Sequence, residues 1–544
     1  MKKYVIGIDC GTLSARALLV DYVTGEEIAS FTAEYPHGVM DEKFLDGSDL
    51  PANFALQHPG DYLEVLEIAV KGVLSKAKVN ANEISGIGFD FTACTILPVY
   101  GDGTPLCFTD EFSANPHAYV KLWKHHAAQP YADIINEKFG DSGWIKQYGG
   151  KVSSEWMLPK IMEIAHKAPE VFDKADRFVE AGDWLEWVLT GNEVHSVAMA
   201  GFKGLYHGGG KFLDNDSLKS LDERFDGLVG TKVSDKVNTM NSLAGYLKGQ
   251  EAQKLGLCEG VPVAICNIDA HSALPGTGIV DKGQMLMIIG TSSCQIFMDK
   301  TQTLPLGISG VVDGGIVDGL YAYEAGQCCV GDSFDWFVKN QVPMSYFDEA
   351  KEKNVSVHKI LRDKAKVKKP GESGLVALDW WGGNRSPLSD SDLKGVIVGL
   401  NLATKPEDIY RALIESTAYG ARKIVETFED GGCKVTEIFA SGGIADKDEM
   451  TMQIYADVLG KEIKLSGSPL AGALGAAMSA CVASGLYPDM KSCSAVMSKV
   501  REQSYKPIEE NVKLYNKLYE EYDRLFSFFG KENDMMKRLK KIAE

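Results

Sequence analysis

Two short loops of similar composition, one near the start of the chain and one beyond its middle, constrain the fold more than any other feature. Residues 11–14 read Gly-Thr-Leu-Ser and follow the apolar run 4–8, whereas residues 290–292 read Gly-Thr-Ser and follow the apolar run 285–289. Glycine permits a close backbone approach, so the N–H groups and hydroxyls of such a turn can bind a phosphate. Each loop alone is equally well explained as an ordinary β-hairpin. Together they predict two similar halves that each contribute one phosphate-binding loop.

Chain length and charge limit the class of protein. A length of 544 residues exceeds the roughly 250–300 residues at which one hydrophobic core stops growing, so we expect at least two domains. The apolar share of 45% and the charged share of 24% are ordinary for a folded globular protein. A formal net charge of -18 argues against a nucleic acid or an anionic membrane as partner, because either would require a basic surface.

The cysteines and the longest apolar stretch point to a cytoplasmic protein. The 11 cysteines show no C-x-x-C spacing, which favours reduced thiols over a disulfide framework or a zinc site. The small apolar residues from 470 to 483 are too few to span a bilayer, for which about 18–20 residues are needed. We expect them to form a buried helix.

The periodicity of apolar residues predicts an α/β fold. Strand-like runs at 4–8, 17–20 and 28–32 precede a helical pattern over 59–77 and another strand-like run at 84–91. A similar order begins again near residue 261, with strand-like runs at 261–266, 285–289, 295–298 and 437–440 and helical patterns over 407–428 and from 448. We therefore expect two mixed β-sheets flanked by helices, with domains at 1–260 and 261–500 and a helical tail at 501–544.

A third glycine-containing turn follows the strand-like run 437–440. Gly442 and Gly443 stand between this strand and the next helix, where a bare backbone can lie against an adenine ring or a ribose. A helix-capping turn is the alternative. The chain contains no G-x-x-x-x-G-K-[ST], no G-x-G-x-x-G and no His-Arg-Asp motif, which disfavours P-loop, Rossmann and protein-kinase folds.

The order of these motifs resembles a known nucleotide site. The segments GIDCGTLSAR (7–16), IIGTSSCQ (288–295) and FASGGIA (439–445) are similar to those of the superfamily of sugar kinases, Hsp70 chaperones and actin. Within it, NIDAHSALPGTG (267–278) resembles the catalytic segment of the FGGY carbohydrate kinases. Longer matches, among them YPHG from residue 35, QHPGDY from 57, DFTACTILPV from 90 and SSEWMLPKI from 153, resemble the branch that phosphorylates L-ribulose.

This resemblance implies a fold and an activity. The fold would be two actin-like, or ribonuclease H-like, domains with ATP and a sugar in the cleft between them. The reaction would be ATP-dependent phosphorylation of a ketopentose, L-ribulose to L-ribulose 5-phosphate in L-arabinose catabolism, with Mg²⁺ as the cofactor. The departure at Asp448, where asparagine is expected, concerns the nucleotide side of the site.

The resemblance also assigns roles to individual residues. It implies that Asp269 is the general base and also contacts the sugar, and that Asp9 holds Mg²⁺ through water. Further sugar contacts would be Ala93, Lys203 and Glu324. Nucleotide contacts would be Gly11, Thr12, Arg16, Gly290, Thr291, Ser292, Gly442 and Gly443.

From residue type alone, simpler roles stay open. Position alone favours a surface or capping role for Asp269, Asp9 could cap a turn, and Arg16 could pair with a carboxylate. Lys203 and Glu324 could form a plain ion pair. Cys10 and Cys294 lie in the two loops, so we expect thiol alkylation to slow the enzyme and ATP to protect it.

Three alternative functions are compatible with parts of the sequence. The closest is a kinase for xylulose, D-ribulose or ribitol. An actin-like or chaperone ATPase would hydrolyse ATP without sugar, and it leaves Lys203, Asp269 and Glu324 without a common task. A sugar-sensing regulator would need a DNA-binding segment, and no basic helix-turn-helix stretch is present. The number of subunits is open, with a homodimer as one candidate.

Overall fold

The computed structural model describes residues 3–140 and 142–543 and divides the chain into two compact units. The first unit contains the residues up to Asp281 together with Gly310–Ala322 and Leu470–Lys499. The second contains Lys282–Ser309, Tyr323–Pro469 and the residues from Val500 onward. The backbone therefore passes between the units several times. This division follows packing rather than one cut in the sequence, and the boundary near residue 260 stays a prediction.

The first unit is built on a mixed β-sheet. Its central strand, Tyr4–Cys10, pairs antiparallel with the next strand in the sequence and parallel with Ile84–Phe91. Apolar residues alternate or run continuously in these strands because both faces are covered. From edge to edge the strands are Glu26–Glu34, Ser14–Asp21, Tyr4–Cys10, Ile84–Phe91, Pro262–Ala264 and Leu243–Tyr246, and Asn267–Ile268 also pairs with Ile84–Phe91.

The second unit repeats this arrangement. Its central strand, Gln284–Ile289, pairs antiparallel with the next strand in the sequence and parallel with Glu437–Ser441. The strands of this unit follow one another across the sheet in the order Tyr321–Gln327, Ser293–Asp299, Gln284–Ile289, Glu437–Ser441, Ile463–Ser466 and Val500–Tyr505, with Val500–Tyr505 at one edge. The prediction of two similar halves with mixed sheets is thus confirmed.

Helices and short strands complete each unit. Helices of the first unit are Pro59–Ala77, Gln129–Phe139, Met157–Lys167, Pro169–Lys174, Ala181–Thr190, Val197–Phe202, Asn215–Leu221, Gly249–Leu255, Asp269–Gly276, Ala471–Ala483 and Met490–Met497. Its short strands are Leu56–Gln57, Ile96–Val99, Val120–Lys121, Arg177–Glu180, His195–Ser196, Val237–Asn238 and Gly310–Asp313. Helices of the second unit are Gly331–Gln341, Met344–Glu352, Val357–Lys366, Pro406–Asp430, Gly443–Lys447, Glu449–Leu459, Glu509–Ser527 and Met535–Ala543, and its short strands are Val376–Leu378 and Val396–Val398.

The helix Ala471–Ala483 is buried in the first unit, as its apolar composition predicts. It packs directly on the sheet because two strand positions facing it lack side chains. A Cβ atom at Gly7 would lie 1.8 Å from the carbonyl oxygen of Ala473, and one at Gly88 would lie 2.1 Å from that of Ala476. These distances are too short for any side chain larger than hydrogen, so both glycines are required by the packing.

The C-terminal tail is part of the second unit. After the sheet strand Val500–Tyr505, the helix Glu509–Ser527 buries one face. Its Tyr515 hydroxyl donates a hydrogen bond to Glu415 Oε1 (2.9 Å) and accepts one from Arg411 Nη2 (3.0 Å). Across residues 3–140 and 142–543, the helices fall short of the length and apolar character that crossing a membrane requires.

Candidate active site

The first loop closes the hairpin between the first two strands. The N–H of Gly11 donates to the carbonyl oxygen of Ser14 (3.0 Å), and Leu13 at its tip is 61% exposed. Arg16 lies opposite Asp9 in the hairpin, with 3.6 Å between Arg16 Nη1 and Asp9 Oδ2. Arg16 thus pairs with a carboxylate here, the simpler of its two predicted roles, while it stays beside the loop.

Two side chains from elsewhere in the first unit fix the orientation of Thr12. Trp123 Nε1 donates to the Thr12 hydroxyl oxygen (3.1 Å), and Gln57 Nε2 donates to the Thr12 carbonyl oxygen (2.7 Å). Gln57 is itself held by the hydroxyl of Tyr62, which donates to its Oε1 atom (2.7 Å). The Thr12 hydroxyl accepts from Trp123, so its hydrogen is free to point at an anion.

The register of the first sheet brings acidic residues together at one edge. Asp9 and Asp90 are direct neighbours on parallel strands, and Asn267 is the next residue in the same row. Asp269 follows two positions later as the first residue of the helix Asp269–Gly276. The predicted metal ligand and the predicted general base therefore come from strand ends at the same edge of the sheet.

Distances from a Cβ position built on Gly472 show how close Asp9, Asp90 and Asp269 lie to one another. A Cβ atom at this position would lie 3.3 Å from Asp90 Oδ2, 3.7 Å from Asp9 Cγ and 3.6 Å from the carbonyl oxygen of Asp269. Gly472 is in the first turn of the helix Ala471–Ala483, whose N-terminal N–H groups carry a partial positive charge. A glycine here leaves the space between the three acids open.

Asp90 is a candidate site residue that the sequence analysis missed. Its side chain is fully buried, and neither carboxyl oxygen has a hydrogen-bond partner among the residues that the structure describes. Burial raises the pKa of Asp90 well above its usual value, and the charges of Asp9 and Asp269 raise it further. Burial also raises the pKa of Asp9, against the opposing effects of Asp90 and Arg16. The available signal was that Asp9 and Asp90 each stand near the end of an apolar strand.

The acidic group fits a divalent cation. Mg²⁺ takes oxygen ligands, and Asp90 offers two carboxyl oxygens that no described residue occupies. Asp9 is the more accessible of the pair, with about a quarter of its side chain exposed. Asp9 with Asp90 beside it would hold such a cation.

Asp269 is half-buried at the start of its helix. Its Oδ1 atom accepts a hydrogen bond from the N–H of Ala270 (2.7 Å), which fixes one side of the carboxylate. The neighbouring His271 is fully buried, and its ring packs edge-on against Phe202 with 4.3 Å between the ring centroids. This contact agrees with a structural role for His271.

The predicted sugar contacts Ala93 and Lys203 belong to one region of the first unit. Ala93 is buried in a turn after the strand Ile84–Phe91, and the next residue, Cys94, has a φ of 58°. The charge of Lys203 lowers the pKa of Cys94, although burial dominates and raises it overall. The turn and Lys203 therefore lie in the same part of the first unit.

In the second unit, the loop of residues 290–292 rests on the start of a helix. The N–H of Gly290 donates to the carbonyl oxygen of Ser292 (2.9 Å), which closes the hairpin. The carbonyl oxygen of Thr291 accepts from the N–H groups of Val330 (2.7 Å) and Asp332 (3.2 Å). Thr291 itself is exposed, so its hydroxyl is accessible to a ligand.

Gly442 and Gly443 lie next to this loop. Ser441 is the direct neighbour of Ile288 in the parallel strand pair, so Gly442 stands beside the residue that precedes Gly290. A Cβ atom at Gly442 would lie 2.6 Å from the carbonyl oxygen of Ile289, and its φ of 97° also requires glycine. Nothing lies within 4 Å of a Cβ position at Gly443. The structure brings five of the six predicted contacts of the second unit, all except Glu324, to one edge of its sheet.

Glu324 and Asp448 occupy other positions in the second unit. Glu324 is buried on the strand Tyr321–Gln327, and its carbonyl oxygen accepts from the N–H of Ser309 (2.6 Å). Asp448 caps the helix Glu449–Leu459 and receives a hydrogen bond from Arg362 Nη1 (3.1 Å). The helix cap and this ion pair explain structurally why an aspartate is suitable at position 448.

Of the two cysteines expected to react with alkylating reagents, the structure supports only Cys294. Cys10 is 2% exposed, and burial together with the charges of Asp90 and Asp9 raises its thiol pKa well above the usual value. A buried thiol that stays protonated reacts slowly, so our expectation for Cys10 is withdrawn. Cys294 is half-buried and keeps the expectation.

Comparisons with known proteins agree with this architecture. Models of the FGGY family of carbohydrate kinases match residues 4–276 (N-terminal domain) and 285–484 (C-terminal domain). The chain is 47% identical over 537 residues to the ribulokinase of Bacillus licheniformis, with 97% of each chain covered. It is also 47% identical over 551 residues to the ribulokinase of Geobacillus thermodenitrificans, covering 100% of this chain and 98% of that protein.

Solved structures with low sequence identity share the fold. The xylulose kinase of Lactobacillus acidophilus superposes with a TM-score of 0.81 at 19% identity, covering 97% of this chain and 99% of that one. The xylulose kinase of Rhodospirillum rubrum gives 0.81 at 21% identity, covering 96% and 98%. With two family models that together span most of its length and relatives nearly half identical to it, the chain belongs to the FGGY family of carbohydrate kinases.

Proposed function

We propose that this carbohydrate kinase transfers the γ-phosphoryl group of ATP to L-ribulose, forming L-ribulose 5-phosphate in L-arabinose catabolism. The observation that carries the proposal is the similarity to ribulokinases over nearly the whole length of both proteins. It extends across both family domains and includes the segments with Ala93, Lys203 and Glu324, our proposed sugar contacts. The proposed cellular location is the cytoplasm.

In the proposed reaction Asp269 accepts the proton of the attacking sugar hydroxyl. The hydrogen bond that its Oδ1 atom accepts from the N–H of Ala270 fixes the orientation of the carboxylate for this task. Proton transfer from a hydroxyl to a positioned carboxylate, together with charge neutralisation, is what phosphoryl transfer requires from a protein. A bound Mg²⁺ would supply part of that neutralisation at the phosphates, and Asp9 with Asp90 would hold it.

The proposed nucleotide contacts divide into two groups. In the first unit, Gly11, Thr12 and Arg16 would contact phosphates, with Thr12 held by Trp123. In the second unit, Gly290, Thr291 and Ser292 would contact phosphates, and the bare backbone of Gly442 and Gly443 would lie against the adenosine. The exposed Thr291 hydroxyl and the open space at Gly443 support this assignment.

A panel of phosphate acceptors tests the proposal. ADP formation is measured with L-ribulose, D-ribulose, L-xylulose, D-xylulose, ribitol and glycerol as acceptors from ATP and Mg²⁺. We expect the highest kcat/KM with L-ribulose. A clear preference for another acceptor would reassign the substrate within the family, and ADP formation that is independent of every sugar would contradict the kinase activity.

A further inference from the structure

The turn that carries Ala93 has an unusual backbone conformation. Cys94 has a φ of 58°, in the left-handed region that residues with a side chain rarely adopt. It is 2% exposed, so the conformation belongs to the packed interior rather than to a mobile loop. Such a conformation is unfavourable for a residue with a side chain and persists only where the surrounding structure enforces it.

Lys160 binds the backbone of this turn through hydrogen bonds. Its side chain is fully buried, and its ammonium group donates to the carbonyl oxygens of Cys94 (2.5 Å) and Leu122 (2.8 Å). The carbonyl oxygen of Lys121 lies 3.5 Å away, so the three N–H donors have three carbonyl partners. Burial lowers the pKa of Lys160, with nearby acidic groups acting in the opposite direction. Burying a lysine ammonium group is unfavourable unless its donors are hydrogen-bonded, and here they bind carbonyl oxygens of the turn and of the adjoining segment.

Glu180 fixes the other end of the same turn. Its Oε2 atom accepts from the N–H of Thr95 (2.9 Å), and the carbonyl oxygen of Thr95 accepts from the N–H of Ala181 (2.7 Å). Within the turn, the hydroxyls of Thr92 and Thr95 are 2.8 Å apart. Lys160 adds a bond to the middle of the turn, because its ammonium group donates to the Cys94 carbonyl oxygen.

We infer that Lys160 is a positioning residue that forces Cys94 into its left-handed conformation and thereby presents the backbone at Ala93 to the sugar. The inference rests on the proposed function, in which Ala93 contacts a ketopentose. Without Lys160 the buried Cys94 carbonyl group would lose this hydrogen bond, and the turn would relax toward ordinary backbone angles. The sugar would then meet a displaced Ala93.

The primary test is Lys160→Met, which keeps the length of the side chain and removes the charge and the donors. We expect the Kd for the best ketopentose, measured by calorimetry without nucleotide, and its KM to rise about tenfold. The KM for ATP should change less than about threefold, because the segment that carries Trp123 keeps its bond from the N–H of Leu122 to the carbonyl oxygen of Ala55 (3.0 Å).

Lys232→Met is the matched control. Lys232 also donates to backbone carbonyl oxygens in the first unit, those of Phe172 (2.9 Å) and Ala175 (2.5 Å), but it does not contact the turn. We expect it to lower the melting temperature without changing the Kd for the sugar. Equal sugar affinities in the two variants would reduce Lys160 to a stabilising residue and overturn the inference.

A rescue experiment decides the matter even if Lys160→Met folds poorly. Glycine adopts a φ near 58° at no steric cost, so it needs no enforcement. In Cys94→Gly alone, we expect unchanged or slightly tighter sugar binding. In the double variant Lys160→Met with Cys94→Gly, sugar affinity should recover at least threefold relative to Lys160→Met. If Lys160→Met is insoluble, the double variant is compared with wild type instead, and its Kd for the sugar should lie within about threefold of the wild-type value.

The outcomes separate this inference from the proposed function. If wild-type protein phosphorylates no ketopentose, the proposed function fails before any variant is made. If wild-type protein is active but the glycine substitution restores nothing, the kinase assignment stands and the role of Lys160 is wrong.

Discussion

At the scale of single residues, Asp269 is held in place by its own helix. The N–H of Ala270 binds one carboxylate oxygen, and the backbone of Gly472 borders the same space. The first sheet and the helices on it therefore contribute to fixing the carboxylate. A general base needs this kind of fixed geometry, because proton transfer requires hydrogen-bond distance to the reacting hydroxyl.

Replacing Asp269 by Asn should remove turnover and leave nucleotide binding largely intact. The amide keeps the size of the side chain but accepts no proton, so we expect kcat to fall by at least about 100-fold. Turnover is measured by coupled ADP release and ATP affinity by calorimetry. Asp281→Asn is the control, since Asp281 is exposed and paired with Lys491 in the same unit. Substantial residual turnover in Asp269→Asn would remove this residue from its proposed role.

His195 makes the stability of the first unit depend on pH. Burial alone lowers its pKa, but Asp183, whose Oδ2 atom lies 3.0 Å from His195 Nδ1, and Glu193 outweigh it and raise the pKa to about 9. A raised pKa in the folded state means that this stabilisation is complete below about pH 6.5 and is lost as the pH rises through about 9. The difference amounts to about 3 kcal/mol at most.

We therefore expect the melting temperature of wild-type protein to exceed that of His195→Gln by several degrees at pH 6. The gap should shrink by pH 9.5, and calorimetric scans at both values measure it. His166→Gln, at an exposed histidine of the same unit, should give no comparable gap. A gap that is equal at both pH values would contradict the titration argument.

Sequence reasoning named most residues of the candidate site but not Asp90, for a reason that this residue illustrates. Asp9 and Asp269 were recognised by their motifs, whereas the closeness of Asp90 to Asp9 depends on strand register. A shift by one residue would turn Asp90 to the other face of the sheet. Periodicity identifies a strand, but it does not give the register with a partner far along the chain.

At the scale of elements, local patterns predicted the pieces well. The helix Pro59–Ala77 and the strand Ile84–Phe91 have the predicted bounds. The helix Ala471–Ala483 was predicted as buried, but its partners were not, because its packing on Gly7 and Gly88 joins segments far apart in the sequence. A uniformly apolar helix has no polar face that would indicate which side meets which neighbour.

Gly7→Ala tests this helix-on-sheet packing. The added methyl group would meet the Ala473 carbonyl oxygen at 1.8 Å, so helix and strand must move apart. We expect a loss of about 3 kcal/mol or more, seen as a strongly lowered melting temperature or as insoluble protein. Gly143→Ala, where nothing lies within 4 Å of the new atom, should leave the melting temperature nearly unchanged. Similar melting temperatures in both variants would show that the packing tolerates the methyl group.

At the scale of the whole molecule, the first unit is not a continuous stretch of chain. It includes Leu470–Lys499, and this segment covers the sheet through the helix Ala471–Ala483. The small-residue composition of the segment shows that it is buried but not in which unit. Sequence alone therefore could not show that residues near the C-terminus complete the core of the N-terminal half.

A fragment of residues 1–281 should consequently fail to fold cooperatively. Joining residues 470–499 to its end by a Gly/Ser linker should restore a cooperative melt, since the backbone at Gly276 already lies against Ala471. Circular dichroism during heating compares the two fragments. A sharp transition in the shorter fragment would contradict the expected dependence on the later segment.

The helix Ala471–Ala483 is synthesised long after the sheet on which it packs, and this order affects folding during translation. A ribosome that adds about 5–20 residues per second needs some tens of seconds to pass from Asp281 to the end of Leu470–Lys499. Throughout that interval the nascent sheet around Gly7 and Gly88 keeps an apolar face without its cover. Newly made chains should therefore depend on holding chaperones during translation more than a protein of the same size whose domains finish in order.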